Sequence, residues 1–300
     1  MRKSYFEASA RERLLGILDA DSFHEFLPPD ARCTSPHLAA LDQPLAFDDG
    51  VAVGSARLAG RPVLVAAQEG RFLGGAIGEV HGAKIAGLIA RAHAAARQEA
   101  GGYAAVILLL DSGGVRLHEA NAGLLAVSEI IRALLAARVD GVRFLGLIGG
   151  SSGCFGGTGL IARCCDALVM SEEGRLAMSG PEVIETVRGV EEFDARDRAL
   201  VWRVTGGKHR YLLGEVDAFV ADDTAAFRAA AIGLLDHPAG LTLADVEREH
   251  ARLQQRWQRF GDCDDGLQIW ERLGVADATQ VALLDTDAFR RLADAVRTAP

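Results

Sequence analysis

Two glycine-rich stretches hold most of the residues whose types and spacing could do chemistry. The first is DSGGVR, with Gly113-Gly114 at its centre; the second is GGSSGCFGGTG, containing Gly156-Gly157. Each follows a continuous apolar run, 104–110 and 144–148. A glycine turn after a buried strand can cradle a phosphate, hold an oxyanion or simply turn tightly. A P-loop requires GxxxxGK[ST], and no lysine follows the second set of glycines. A dinucleotide fingerprint belongs at the first strand-to-helix turn, with an acid downstream for the ribose. The Gly157-Thr158-Gly159 stretch comes late in the strand–helix series and lacks that acid. Oxyanion chemistry fits better. Glycine lets the backbone approach a ligand, and an N–H at a helix start points outward with the helix dipole behind it. Two such groups meeting at a thioester oxygen would stabilise an enolate, each contributing about 2.7–4 kcal/mol.

The flanking side chains leave alternatives open. Arg116 follows the first glycine pair, where it could meet a carboxylate or a phosphate, or close a salt bridge inside the fold. Ser151, Ser152, Gly153 and Cys154 open the second turn and are the other candidate substrate contacts. Ser151, Ser152 and Cys154 are weak nucleophile candidates, because no His–acid pair adjoins them. His81, near Glu79, could be half of an acid–base pair or could orient a loop. Asp111 and Asp166 are expected to hold loops by accepting backbone N–H groups.

The elements that must position these turns read as follows. Helical spacing over 11–18, ended by Pro28-Pro29, gives a helical N-terminal arm, residues 1–45. β-rich runs at 51–58 and 62–67 flank Gly60-Arg61, as in a hairpin. Then come a helix over 83–99, a strand at 105–110, a helix at 121–137, a strand at 142–148, a short helix at 157–164 and a strand at 167–171. Alternating strands and helices predict mostly parallel pairing, in a central domain spanning 46–238. The remainder, 239–300, reads as a helical C-terminal extension. Its 243–260 stretch is charged and amphipathic, with a Leu253, Trp257 and Phe260 stripe that suits a docked face or a partner chain.

Composition narrows the function class. The chain has 300 residues, 49% of them apolar, enough for a substantial core. A net charge of −9 argues against a broad nucleic-acid or anionic-membrane surface. Five cysteines without CxxC spacing predict a reduced, cytoplasmic protein with no metal site. The N-terminus mixes acids and bases unlike a secretory signal, and the apolar runs are too short to cross a bilayer.

Three separate stretches, in order, carry a family resemblance: GRPVLVAAQEGRFLGGAIGEVHGAKIAGL, LLLDSGGVRLHEA and GGSSGCFGGTGLIARCCDALVMSEEGRLAMSGPEVIE. Together they resemble the carboxyltransferase subunits of acyl-CoA carboxylases. Within that group the chain is most similar to the β subunits of biotin-independent malonate decarboxylases, through SYFEASARERLLGILD, VAAQEGRF, GEVHGAKIAGL and GGKHR. The resemblance implies an α/β crotonase-like fold of repeated ββα units with helical extensions. It implies backbone oxyanion holes at Gly113, Gly114 and Val115 and at Gly156 and Gly157. It also implies a γ subunit completing the active site, an acyl carrier protein presenting malonyl on a dephospho-CoA-derived prosthetic group, and an α subunit that transfers the carrier. No cofactor is expected on this chain itself. The N-terminal zinc ribbon of bacterial acetyl-CoA carboxylase β subunits and the Met-Lys-Met biotin site are both missing from the pattern. The alternative within the group is the carboxyltransferase subunit of a biotin-dependent acyl-CoA carboxylase or decarboxylase.

Overall fold

The computed structural model describes residues 3–98 and 102–297. Its strands are β1 (His24–Glu25), β2 (Val51–Leu58), β3 (Arg61–Gln68), β4 (Ala105–Leu110), β5 (Phe144–Ile148), β6 (Ala167–Ser171) and β7 (Ala218–Val220). The helices up to the second turn are α1 (Ala10–Ile17), α2 (Pro36–Ala40), α3 (Glu79–Ala96), α4 (Ala122–Val139) and α5 (Gly157–Arg163). They are followed by α6 (Pro181–Arg188), α7 (Arg198–Thr205), α8 (Gly207–Leu212), α9 (Thr224–Gly233), α10 (Leu243–Phe260), α11 (Gly266–Arg272) and α12 (Thr286–Arg297).

All seven strands form one sheet in chain order, β1 to β7. The first three pair antiparallel, and β3 through β7 pair parallel, with Val106 opposite Phe144 and Leu145 opposite Ala167. Every position of β4, β5 and β6 is buried. That is why these runs are uniformly apolar: helices cover both faces of the sheet. On one face α3, α4 and α5 pack against Leu64, Val106, Leu108 and Phe144. On the other, α1 and α9 cover Val65, Ile107, Leu145 and Val169. A third cluster joins α8, α11 and α12 through Phe219, Trp270 and Phe289.

A second, much smaller layer of pairing lies past the strand ends. It consists of single parallel bridges, Ile77 to Val115, Ser112 to Cys154 and Cys154 to Leu176. Each repeat is therefore strand, short second strand, helix. The expected ββα unit is present with its second strand reduced to one bridging residue.

The hairpin, the strands at 105–110 and 167–171 and the helix at 243–260 fall where the sequence pattern puts them. Helix α3 begins at Glu79, four residues before its expected start at 83, while the expected end at Glu99 lies outside the described residues. Strand β7 has no counterpart in the sequence pattern, since three residues pairing with β6 leave no periodic signal. The short β1 likewise lies inside the expected helical arm. That arm is part of the main body: Tyr5, Leu14 and Ile17 are fully buried in the core beneath the sheet. Helix α10 buries no residue. Among the described residues, no helix is long and apolar enough to cross a membrane.

Candidate active site

The two glycine turns leave the carboxyl ends of β4 and β5, adjacent parallel strands, and so emerge side by side. Backbone bonds tie them together: Ser112 N–H donates to Gly153 O at 2.7 Å and Phe155 N–H to Ser112 O at 3.0 Å. Gly156 has φ +58°, a conformation that side chains resist. A Cβ placed on it would lie 3.4 Å from the Gly114 Cα, so the two backbones abut. Gly114 also has a positive φ, +136°, although a Cβ on it would meet nothing within 4 Å.

Tracing each amide corrects the expected donor set. Gly113 N–H donates to Gly74 O at 2.8 Å, and Gly156 N–H donates to Met178 O at 3.0 Å. Gly114 N–H donates to Ser112 Oγ at 3.1 Å. These three are engaged in building the turns. Among the described residues, the N–H groups of Val115 and Gly157 meet no acceptor. The cause is local. Ile77 bonds the Gly114 carbonyl at 2.9 Å and the Arg116 amide at 3.0 Å. Val115 therefore turns its own amide away from Ile77, toward the side on which the second turn pairs. Gly157 opens α5, and a first-turn helix amide has no partner within its own helix.

Arg116 is a second correction. It is 1% exposed, and its guanidinium meets Asp49 Oδ2 at 2.6 Å, Glu119 Oε1 at 3.1 Å and Asp49 O at 2.8 Å. Glu119 in turn accepts the Glu79 N–H that starts α3. The salt-bridge alternative is the one realised, and Arg116 is out of a substrate's reach. Cys154 is corrected as well: it is fully buried in the apolar core, and burial pushes its thiol well above the usual range. Gly153 is buried with φ +74° and donates to Gly150 O at 3.2 Å. Ser152 gives its N–H to Asp111 Oδ1 at 2.7 Å and its hydroxyl to Gly70 O at 3.0 Å. Of the four residues opening the second turn, Ser151 alone is exposed.

His81 and Glu79 are not an acid–base pair. Glu79 meets His37 at the surface, at 2.8 Å. His81 is completely buried, and burial followed by the nearby Arg116 charge pushes it down to about 3, so the ring is neutral. Its Nδ1 lies 3.1 Å from Asp49 O and its Nε2 3.1 Å from the Gln68 amide nitrogen. The acceptor at Asp49 assigns the proton to Nδ1 and leaves Nε2 to accept from Gln68. Gln68 Oε1 then accepts the Asp111 N–H at 3.1 Å, so the chain of bonds ends at the first turn.

Asp111 accepts a backbone N–H as expected, and what the sequence did not reveal is its buried partner Arg13. Asp111 is 1% exposed and holds the second turn through Ser152, while its Oδ2 meets Arg13 of α1 at 2.8 Å. The Cα positions of Gly70 and Gly150 crowd this carboxylate so closely that neither could carry a side chain. Burial raises the Asp111 carboxyl, against the pull of Arg13. No local pattern marks Arg13, since its partner lies 98 residues away.

Exposed apolar side chains follow the turns in the chain: Leu117 at 81%, Leu125 at 66% and Met178 at 71%, with Leu124, Val183 and Val187 nearby in sequence on α4 and α6. Among the described residues, no group of three His, Cys, Asp or Glu side chains is placed to hold a metal ion.

Comparison with known proteins gives this geometry a context. The carboxyl transferase domain model matches residues 7–234. The chain is 43% identical over 244 residues to malonyl-S-ACP:biotin-protein carboxyltransferase of Malonomonas rubra, covering 79% of this chain and 76% of the relative. It is 35% identical to a putative propionyl-CoA carboxylase beta chain of Bacillus subtilis, over 62% of this chain but only 34% of that much longer protein. Among solved structures, a chain of a Pseudomonas malonate decarboxylase hetero-tetramer in complex with malonate superposes with a TM-score of 0.78 at 36% identity, covering 97% of both chains. The fold is thus that of malonate decarboxylases and carboxyltransferases, enzymes acting on carboxyl groups. This chain belongs to the carboxyl transferase domain family.

Proposed function

We propose that this chain is the β subunit of a malonate decarboxylase, converting malonyl-S-acyl-carrier protein to acetyl-S-acyl-carrier protein and CO2. The observation that carries the reading is the pair of unengaged amides, Val115 and Gly157, on abutting turns. In the proposed reaction the bond between C2 and the free carboxylate of the malonyl group breaks and CO2 leaves. The electron pair forms an enolate whose oxygen accepts from the two amides, and a proton delivered to C2 gives the acetyl thioester. Such donors act on charge that develops in the transition state, so they lower the barrier more than they tighten substrate binding. Nothing else on the turns needs to react, consistent with a buried, inert Cys154.

The exposed apolar side chains that follow the turns support a shared site. A γ subunit covering Leu117, Leu125 and Met178 would exclude water from the enolate, and the Pseudomonas relative is itself a hetero-tetramer. The proposed carrier protein would thread its dephospho-CoA-derived arm between the two subunits, and an α subunit would exchange acetyl for malonyl on that arm.

The 43% identity to a biotin-protein carboxyltransferase favours a second reading, in which the CO2 released as the same enolate forms is bonded by the ureido nitrogen of carrier-bound biotin, whose displaced proton goes to C2. Purified complex given malonyl-carrier protein separates the two. CO2 release undiminished by avidin supports decarboxylation without biotin, whereas turnover that requires a biotinylated carrier establishes the second reading instead.

A further inference from the structure

Two arginines without an ion pair, Arg175 beside the second turn and Arg198, approach the same indole ring. The buried Arg13 and Arg116 each meet a carboxylate, as do Arg138, Arg210 and Arg256. Arg175 and Arg198 form no ion pair among the described residues. Arg175 sits on the segment that pairs with Cys154, whose N–H donates to Arg175 O at 2.8 Å. Its guanidinium lies 5.5 Å from the Phe155 ring and 5.0 Å from the Trp202 ring, and it donates to Ser151 O. The buried Nε has no acceptor. Arg198 approaches the same indole at 5.1 Å. Arg198 and Trp202 line a cleft of about 250 Å³ together with Glu173, Lys208 and Arg203. Lys208 is taken by Glu172 at 2.7 Å and Arg203 by Asp265 at 3.2 Å, which leaves Arg198 as the cation of the lining without an ion pair, while Arg175 stands outside the lining at the ring of Trp202.

Two like charges sharing one ring repel, and a half-buried guanidinium without an anion carries an unreturned desolvation cost. Burial does lower Arg175 from its ordinary value, with Glu182, Asp111 and Glu173 acting from beyond ion-pair distance. Phe155 and Trp202 hold the fork in place, which reduces the ordering needed to bind a planar or tetrahedral oxyanion.

We propose that Arg175 and Arg198, seated on Trp202, form an anion-binding subsite beside the second glycine turn that takes a carboxylate or phosphate group of the incoming thioester. The link to a thioester rests on the function proposed above; the anion site itself does not. Glu173 lines the same cleft and opposes an anion there, so its neutralisation strengthens the site.

The test uses the assembled complex and titrates it calorimetrically with malonate and with inorganic pyrophosphate. Arg198→Ala removes an exposed side chain and leaves the fold intact; it and Arg175→Ala each weaken binding of the favoured anion by roughly tenfold or more. Arg175→Lys restores part of the affinity, and Glu173→Gln tightens it. Kinetics with malonyl-pantetheine and malonyl-phosphopantetheine then identify the source. A kcat/KM lost in Arg175→Ala for both substrates assigns the carboxylate; a loss confined to the second assigns the phosphate. Anion affinities equal in wild type and both alanine variants overturn the subsite. Intact anion binding with no decarboxylation by the wild-type complex overturns the proposed function alone.

Discussion

Replacing Gly157 by proline removes one of the two unengaged amides and nothing else the helix requires. Position 157 is the first residue of α5, where proline is well tolerated because that amide has no intrahelical partner. Space is the obstacle: a Cβ there would lie 2.6 Å from a Val127 methyl carbon. The informative comparison is therefore Gly157→Pro/Val127→Ala against Gly157→Ala/Val127→Ala, two proteins of similar packing that differ in the N–H. Loss of one oxyanion donor costs about 2.7–4 kcal/mol of transition-state stabilisation, or roughly 10²–10³ in kcat. The assay is CO2 release by the reconstituted complex at saturating malonyl-carrier protein, with assembly confirmed by sedimentation. KM should change far less than kcat, because the donor acts on developing charge. If the proline variant assembles and keeps a kcat within about threefold of its alanine counterpart, the amide of Gly157 does not carry the reaction.

Arg13→Met leaves the Asp111 carboxylate buried and unpaired, and chemical denaturation should show a loss of about 3–5 kcal/mol; a loss below about 1 kcal/mol would mean that the pair does not hold the turns. Acid should destabilise the fold well above the carboxylate range. His81 and His209, both 5% exposed or less, are pushed by burial from 6.5 to about 3, so unfolding takes up a proton at each once the pH drops below 6.5. Their contribution is complete above pH 6.5 and falls as pH falls toward 3, by about 3 kcal/mol in total between pH 7.5 and 5.5; a flat stability profile over that interval contradicts it. Glu215 extends the trend below 4.5. Burial alone would raise it, but Arg210 and Arg256 outweigh that and hold it at about 2, so its share is present above 4.5 and lost between there and about 2. Trp257, 75% exposed on α10, should be replaceable by alanine with less than about 0.5 kcal/mol change in the stability of this chain; a larger loss would mean that the indole packs within the chain itself.

The sheet and its turns were legible because strands buried on both faces write themselves as unbroken apolar runs, as at 105–110 and 144–148. Glycines that must abut another backbone are equally plain in the chain. The identity of the donors was not. Whether an amide is engaged depends on partners such as Gly74, Met178 and Ile77, which lie elsewhere in the chain and bond through their backbone, where residue type leaves no mark. Arg116 misled for a related reason. An arginine beside a glycine turn looks the same whether its carboxylate belongs to a substrate or to Asp49, 67 residues earlier. Arg13 carried no signal in the sequence, because a buried ion pair between distant elements has no period. Arg175 drew no notice, being defined by the absence of a partner and by rings at 155 and 202 that only the fold brings to it.

The central claim concerns one oxygen atom. A structure of the complex holding a non-decarboxylating malonyl thioester analogue locates it directly. The thioester oxygen is expected about 2.7–3.1 Å from both Val115 N and Gly157 N. An analogue bound with that oxygen beyond hydrogen-bond reach of both amides would contradict it.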